Sequence, residues 1–181
     1  MSETNDGNRL RAGDFFLLSL WFPGQMADLL TFAARPDLVA PFLANRSPMP
    51  EDFVAERFRS QERSFATTKD EFLKVFQDVV TPSEEADLEY IAVVRNAIAH
   101  SHVSFERDYL LYRPTGGVRR EAAILGGGQM QRRAGAAEPM IVKLTFDEPR
   151  YLADVARVRR LDEACFARVA RHLGVTHPRI R

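Results

Sequence analysis

The tetrapeptide Thr81-Pro82-Ser83-Glu84 is the strongest local folding signal in the chain. Threonine is a good N-cap, proline fits the first helical position, and a glutamate three residues after the cap can bond back to the cap N–H. Beyond it, Leu88, Ile91 and Ile98 recur at helical spacing. The pattern predicts an amphipathic helix that begins at residue 82 and extends past residue 98.

Helical periodicity also marks most of the sequence before this tetrapeptide. Apolar residues recur at helical spacing over about 14–34 and again over about 50–79. Pro23-Gly24 predicts a kink or break in the first segment, and Thr68-Lys69-Asp70-Glu71 indicates a capping box that restarts a helix in the second. A last helix is predicted from about residue 148 to residue 173.

The hydrophobic period changes after about residue 104. Residues 109–112 and 142–146 are predicted strands, because they are rich in apolar and aromatic residues and the second alternates apolar with polar side chains. Between them, residues 113–139 are predicted to form a mobile loop rich in glycine and arginine, with a third strand near Ala122–Leu125. The predicted fold class is mainly α, a helical bundle with a small β-hairpin element inserted before the last helix.

A chain of 181 residues is long enough for one domain with its own core. We expect a flexible leader at 1–13, a single domain at 14–175 and a tail at 176–181. Because Cys165 is the only cysteine, no internal disulfide can form, and the cytoplasm is the expected location. The longest apolar run, at 15–22, is shorter than the roughly 20 residues that span a membrane, so no membrane partner is expected.

The net charge is zero, but the charge is unevenly distributed. Residues 1–94 carry 9 basic and 16 acidic groups, whereas residues 95–181 carry 16 basic and 9 acidic groups. Most of the basic residues are arginine, whose planar guanidinium suits phosphate oxygens. This favours an anionic partner for the second half of the chain. The alternative is that acidic and basic helices neutralise each other.

The stretch VVRNAIAHSH, residues 93–102, adds an arginine, an asparagine and two histidines to the predicted apolar helix. Helical geometry places Arg95 within the apolar stripe, and Asn96 and His100 side by side on its flank. If the helix continues, His102 lies on the face of Arg95, about 10.5 Å along the axis. Because an unpaired buried guanidinium is costly, Arg95 should pair with a carboxylate, be hydrated or face an anion-binding interface.

Arg95-Asn96-Ala97-Ile98-Ala99-His100 resembles the R-x(4–6)-H motif of the HEPN superfamily, including the polar residue after its arginine. Members are helical bundles that usually dimerise, and many are metal-independent endoribonucleases of toxin–antitoxin, phage-defence or CRISPR systems. The resemblance implies that His100 acts as general base or acid at the ribose 2′-hydroxyl and that Arg95 stabilises the scissile phosphate. It gives Asn96 an orienting role, and it implies 2′,3′-cyclic phosphate ends, an RNA substrate, a homodimer and an antitoxin or defence partner protein.

Alternatives to this assignment remain open. The same spacing pattern also joins Arg95 to His102, so His102 is an alternative catalytic residue. His102 also stands where one HEPN subgroup has a tyrosine that its antitoxin modifies with adenylate, so regulation of that kind is not expected. A non-catalytic HEPN-like module that binds nucleic acid or nucleotide is the first functional alternative. The second is a helical protein-interaction domain in which Arg95 pairs with a buried carboxylate.

Flexible arginines between the two predicted strands are candidate RNA ligands, because they can neutralise phosphates. They are Arg113, Arg119, Arg120, Arg132 and Arg133. The alternative is a surface insertion without a binding role. No metal and no cofactor is expected, because the His100-x-His102 pair has no convincing carboxylate or cysteine partners nearby in the sequence.

Overall fold

A computed structural model describes residues 3–44, 51–103, 107–114, 118–125, 130–132 and 140–176. The fold is mainly helical with a small antiparallel β hairpin, as the sequence predicts. The helices are α1 (Glu3–Ser19), α2 (Trp21–Ala34), α3 (Val39–Leu43), α4 (Glu51–Gln61), α5 (Phe65–Val75), α6 (Pro82–Ala99), α7 (Val118–Ile124), α8 (Glu148–Arg160) and α9 (Ala167–His172). The strands are β1 (Leu110–Tyr112), β2 (Met130–Arg132) and β3 (Met140–Leu144). A short 3₁₀ helix covers Pro36–Leu38, and a π-helical segment covers Leu161–Phe166.

Contacts divide the chain into two compact units, each made of two separate segments. Unit 1 comprises Met1–Ser19 and Glu89–Val158, and unit 2 comprises Leu20–Leu88 and Arg159–Arg181. A single domain at 14–175 stays a prediction. Most of the predicted tail, residues 177–181, lies outside the described residues.

The predicted flexible leader is wrong over residues 3–13, which form the first part of α1 in unit 1. The Asn8 Nδ2 donates a hydrogen bond to the Asp108 carbonyl at 2.9 Å, and the Arg11 Nε donates to the Phe146 carbonyl at 2.7 Å. On the same helix, Ala12 and Phe15 are buried. The polar composition of this segment indicated a loose end, but Asn8 and Arg11 bond to distant backbone carbonyls and Ala12 packs in the core.

The sheet in unit 1 has the strand order β1-β3-β2, and both pairs are antiparallel. The third strand is β2, so the strand predicted near Ala122–Leu125 is wrong. That segment is mostly α7, which contains alanine, arginine and glutamate, all good helix formers. The Tyr112 hydroxyl donates to the Glu121 Oε2 at 2.9 Å, which ties α7 to β1. The mobile loop predicted at 113–139 therefore contains a helix and a strand.

The capping box that begins α6 is confirmed. The Thr81 N–H donates to the Glu84 Oε2 at 2.8 Å, and the Glu84 N–H donates back to the Thr81 Oγ1 at 3.4 Å. In unit 2, the Arg168 Nε also donates to the Val79 carbonyl at 3.0 Å, next to this turn. The start of the helix that carries the candidate motif is thus fixed by the residues that predicted it.

Two other helix starts differ from the prediction. Helix α5 begins at Phe65, because the Ser64 hydroxyl accepts a hydrogen bond from the Thr67 N–H at 3.1 Å. The capping box predicted at Thr68 is therefore wrong, and Thr68 lies inside the helix. The break predicted at Pro23-Gly24 lies earlier, between the end of α1 and Trp21, so that Pro23 falls in the first turn of α2, where its missing N–H is tolerated.

Aromatic side chains form much of the core of unit 2. The Phe166 ring packs edge-on against Phe22 and Phe72, with centroid separations of 5.5 and 5.6 Å. All three rings are fully buried. Phe166 belongs to the π-helical segment, and residues 148–172 are helical throughout, as predicted for the last helix.

The apolar N-terminal region is longer than the run at 15–22 suggested. Among the described residues, Gly7–Ala34 is one stretch whose length and mean hydropathy of 1.2 would suffice to cross a membrane. Within this stretch, 61% of the 18-residue segment that meets the hydropathy criterion is buried inside the protein, as is typical of a core helix of a folded domain.

Asp28 is a buried carboxylate in unit 2, where Arg57 of α4 is its partner. The Arg57 Nε lies 2.8 Å from the Asp28 Oδ1. Burial nevertheless raises the pKa of Asp28 to about 6, and the Arg57 guanidinium offsets only part of the rise. Charging Asp28 therefore costs more in the folded than in the unfolded protein.

Replacing Asp28 with asparagine is expected to raise the free energy of unfolding at pH 7 by roughly 1–2 kcal/mol. The folded protein binds a proton at Asp28 between about pH 4 and 6 more tightly than the unfolded chain, so stability from this group falls as pH rises through that window. Urea unfolding at several pH values would measure both effects, with the exposed Asp78→Asn as the control. A less stable Asp28→Asn at pH 7 would show that the ion pair outweighs desolvation.

Candidate functional site

Arg95 lies on α6 in unit 1, where its side chain is half-buried. The guanidinium carbon is 5.7 Å from the centroid of the Phe16 ring of α1, within the range of a cation–π interaction. Its Nε atom is buried. The aromatic contact and partial burial limit the motion of a long, otherwise flexible side chain, so Arg95 presents its charge from a fixed position.

Asn96 and His100 are exposed neighbours near the C-terminal end of α6. The His100 N–H donates to the Asn96 carbonyl at 3.1 Å, so the two residues are one helical turn apart, as predicted. Within the described part of the chain, neither side chain has a hydrogen-bond partner. Both are open to an incoming ligand.

His102 does not lie on the helical face of Arg95, so the prediction from helix geometry is wrong. The helix ends at Ala99, and the Ser101 hydroxyl donates to the Ala97 carbonyl. The His102 N–H then donates to the Leu111 carbonyl at 2.8 Å, and the Leu111 N–H donates back at 3.1 Å. This isolated bridge places His102 beside β1, with its side chain exposed.

Arg95 and His100 point in different directions within one chain. Five residues of helix separate them by about 140° around the axis and about 7.5 Å along it. Arg95 faces Phe16 of α1, whereas His100 is exposed to solvent. A phosphate held by one chain's Arg95 therefore does not lie directly in front of the same chain's His100.

Of the predicted RNA-binding arginines, the structure describes the side chains of Arg113 and Arg120. Arg113 is exposed, and the Arg120 guanidinium lies 2.7 Å from the Glu89 carboxylate of α6. The backbone of Arg119 belongs to α7 and that of Arg132 to β2. Arg133 lies outside the described residues.

The outward-facing side of the sheet brings together residues that the sequence did not show to be neighbours. We define this outer face by Arg107, Tyr109, Leu111, Lys143 and His102. The Lys143 Nζ lies 4.2 Å from the centroid of the Tyr109 ring, and the Arg107 guanidinium carbon lies 5.7 Å from it. Tyr109, Leu111 and Lys143 belonged to the two predicted strands, but the sequence did not show which residues of one strand lie beside those of the other.

A second polar cluster that the sequence did not reveal is buried between α6 and α8 in unit 1. Burial raises the pKa of the Asp154 carboxyl, which interacts with the Tyr90 hydroxyl. Burial also raises the pKa of Tyr90 to about 12. The Arg150 Nε lies 3.7 Å from the Asp154 Oδ2, and the Arg157 guanidinium carbon lies 4.3 Å from the Tyr90 ring centroid. This cluster joins the motif helix to α8 in unit 1.

Within the described residues, the motif belongs neither to a cluster of metal-ligating side chains nor to the depression found in unit 1. In the described ranges, no group of three or more histidine, cysteine, aspartate and glutamate residues could hold a metal ion. A shallow depression in unit 1 has Asn8, Tyr109 and Phe146 in its lining, and it does not include Arg95, Asn96 or His100. The motif residues thus form an open surface site.

Comparisons of the chain with protein-family models, with curated proteins and with solved structures gave no match.

Proposed function

We propose that the protein is a metal-independent endoribonuclease of the HEPN type that acts as a homodimer. The observation that carries the proposal is the state of the motif at the end of α6. Arg95 is held against Phe16, while Asn96 and His100 are exposed and free to meet a substrate. A cation that stabilises the phosphate and an accessible imidazole that transfers protons are the groups that acid–base cleavage of a phosphodiester requires.

The reaction can be written with these residues alone. An imidazole exchanges protons near neutral pH, so His100 can remove the proton of a ribose 2′-hydroxyl. The 2′-oxygen then bonds to the adjacent phosphorus, and the bond from phosphorus to the 5′-oxygen breaks, which leaves a 2′,3′-cyclic phosphate. Arg95 stabilises the extra negative charge on the phosphate, and Asn96 orients His100 or the phosphate. The second copy's His100 protonates the leaving 5′-oxygen.

A homodimer resolves the divergence of Arg95 and His100 within one chain, since the cation of one copy can meet the imidazole of the other. An exposed stripe on α1 in unit 1 is suited to such an interface. Leu10 and Leu17 are 72% and 65% exposed, and Gly13 lies between them with open space around it. Helical spacing puts these three residues within about 60° of one another, next to Phe16. Docking through α1 would bring two motifs together.

The biological setting of the activity is part of the same proposal. We place the enzyme in the cytoplasm, where RNA is abundant, with an antitoxin or another phage-defence protein as its regulator. A protein that covers Asn96 and His100 would suffice for inhibition, because both side chains are exposed.

Incubation of purified protein with mixed RNAs in EDTA tests the proposed activity. Wild type should cleave RNA, and Arg95→Ala should lower the rate by at least about 100-fold, as expected for loss of a group that stabilises transition-state charge. The control is Arg159→Ala, which removes an exposed arginine of α8 outside unit 1. If folded wild type cleaves no better than Arg95→Ala, the ribonuclease proposal fails for those RNAs.

The second candidate is a module that binds RNA without cleaving it. The observation that favours it is the absence of an orienting hydrogen bond to His100 in the described part of the chain, together with the cations on the outer face. RNA retention without cleavage in the same samples would support this module.

A further inference from the structure

We propose that the outer face of the sheet is the surface that binds a single RNA strand and guides it to His100. The identity of the ligand rests on the proposed function, but the evidence for the face is separate from the motif. It consists of strand register, charge, the aromatic ring that two cations contact and the backbone bridge between His102 and Leu111.

Strand register separates the outer face from the buried side of the sheet. Leu110 pairs with Leu144 and Tyr112 pairs with Val142, and all four side chains are buried. Alternate residues of a strand face opposite sides. Leu111 and Lys143 therefore share the other side, where each is partly exposed. The Tyr109 ring lies on this side as well, because its centroid is 4.2 Å from the Lys143 Nζ.

The charge of the outer face is positive. Within the described ranges, Arg107 and Lys143 contact the Tyr109 ring, and neither forms an ion pair with a carboxylate. Among the described acidic residues that follow β3, the Asp147 Oδ1 accepts the Arg150 N–H at 3.0 Å, at the start of α8.

Tyr109 organises the two cations. Because Arg107 and Lys143 both lie within cation–π range of one ring, their charged ends are held near each other without a carboxylate between them. Such a pair complements the regularly spaced phosphates of a nucleic-acid strand. Leu111 and the exposed part of Tyr109 offer apolar surface for bases, which in a single strand are unpaired and accessible.

The outer face leads directly to the motif. Leu111 pairs with Lys143 on one side and with His102 on the other, so these three residues form one row across the strands. Partners in such a row lie about 5 Å apart. Two peptide units separate His102 from His100, so their Cα atoms are at most about 7 Å apart. A strand bound along the row therefore arrives at His100.

Fluorescence anisotropy with a labelled single-stranded oligouridylate tests this surface apart from catalysis. Every protein carries His100→Ala, so that the probe is not cut. Arg107→Gln with Lys143→Gln should weaken binding by about tenfold and lower the salt dependence of log K by about 1.4, or about 0.7 for each lost phosphate contact. The matched control, Arg159→Gln with Lys74→Gln, removes two exposed cations from unit 2 and should change neither value.

A second variant tests the aromatic organiser without removing charge. Tyr109→Ala should weaken binding several-fold, whereas Tyr109→Phe, which keeps the ring, should bind like the parent. The proposal is overturned if the parent does not bind the oligouridylate, if the double variant binds as tightly as the parent, or if the control pair weakens binding equally. Weaker binding by the double variant, with no cleavage by wild type, would reject the ribonuclease and retain the face. Cleavage by wild type, together with unchanged binding by the double variant, would reject the outer face and retain the ribonuclease.

Discussion

Replacing His100 with alanine is expected to lower the rate of RNA cleavage by about 1,000-fold, whereas His102→Ala should lower it by less than about 3-fold. General acid–base groups contribute about 10² to 10⁴ in rate, and in a homodimer each His100 would serve as base in one site and acid in the other. His102 forms its hydrogen bonds to Leu111 through the backbone, which the substitution leaves intact. Only the RNA contact of its exposed side chain would be lost.

Single-turnover cleavage of a labelled RNA would measure both effects. His172→Ala is a suitable control, because it removes another exposed histidine, at the end of α9 in unit 2. Circular dichroism and sedimentation would establish that each variant is folded and has the same association state. If His102→Ala abolished cleavage and His100→Ala did not, the catalytic assignment would be wrong.

Replacing Leu17 with glutamate is expected to convert the proposed homodimer to a monomer and to lower the proposed RNA cleavage by at least about 100-fold. Leu17 is 65% exposed on the α1 stripe, and a two-fold interface through this stripe would bring two introduced carboxylates close together. Removing these charges from water and opposing them is unfavourable, so dissociation is the expected response. Loss of activity follows because each proposed site takes residues from both copies.

Sedimentation velocity across a range of concentrations would measure association, beside the cleavage assay. The matched control is Leu152→Glu, which changes a leucine of α8 that is 57% exposed, also in unit 1. This variant should remain dimeric and active. A dimeric and active Leu17→Glu would show that the copies associate through another surface.

Local signals predicted the beginning of α6 well, because both partners of its capping box are three residues apart. The end of the helix was predicted poorly. The chain leaves the helix after Ala99 and pairs His102 with Leu111, a partner that no helical pattern identifies. The helix at residues 3–13 was missed for the same reason, because the carbonyls that accept hydrogen bonds from Asn8 and Arg11 are 100 and 135 residues away in the sequence.

In the candidate site, too, the sequence predicted the local features but not the contacts between distant segments. The order of Arg95, Asn96 and His100 can be read from six residues, and the exposure of the last two follows from their flank position. The Phe16 ring that holds Arg95 comes from α1 and could not be inferred from spacing. The outer face was missed because it combines short segments, and only register aligns Lys143 with Leu111.

The chemistry of the RNA ends tests the central claim most directly, because it does not depend on any protein variant. Wild-type protein should cleave a defined RNA in EDTA to give 5′-hydroxyl and 2′,3′-cyclic phosphate ends, detected by mass spectrometry. The same RNA with a 2′-O-methyl group at the cleaved nucleotide should resist cutting there, because the methylated ribose has no 2′-hydroxyl proton for His100 to remove. Ends with 5′-phosphate, cleavage that requires a divalent metal, or equal cutting of the methylated RNA would contradict the assignment of Arg95 and His100 as a metal-independent ribonuclease site.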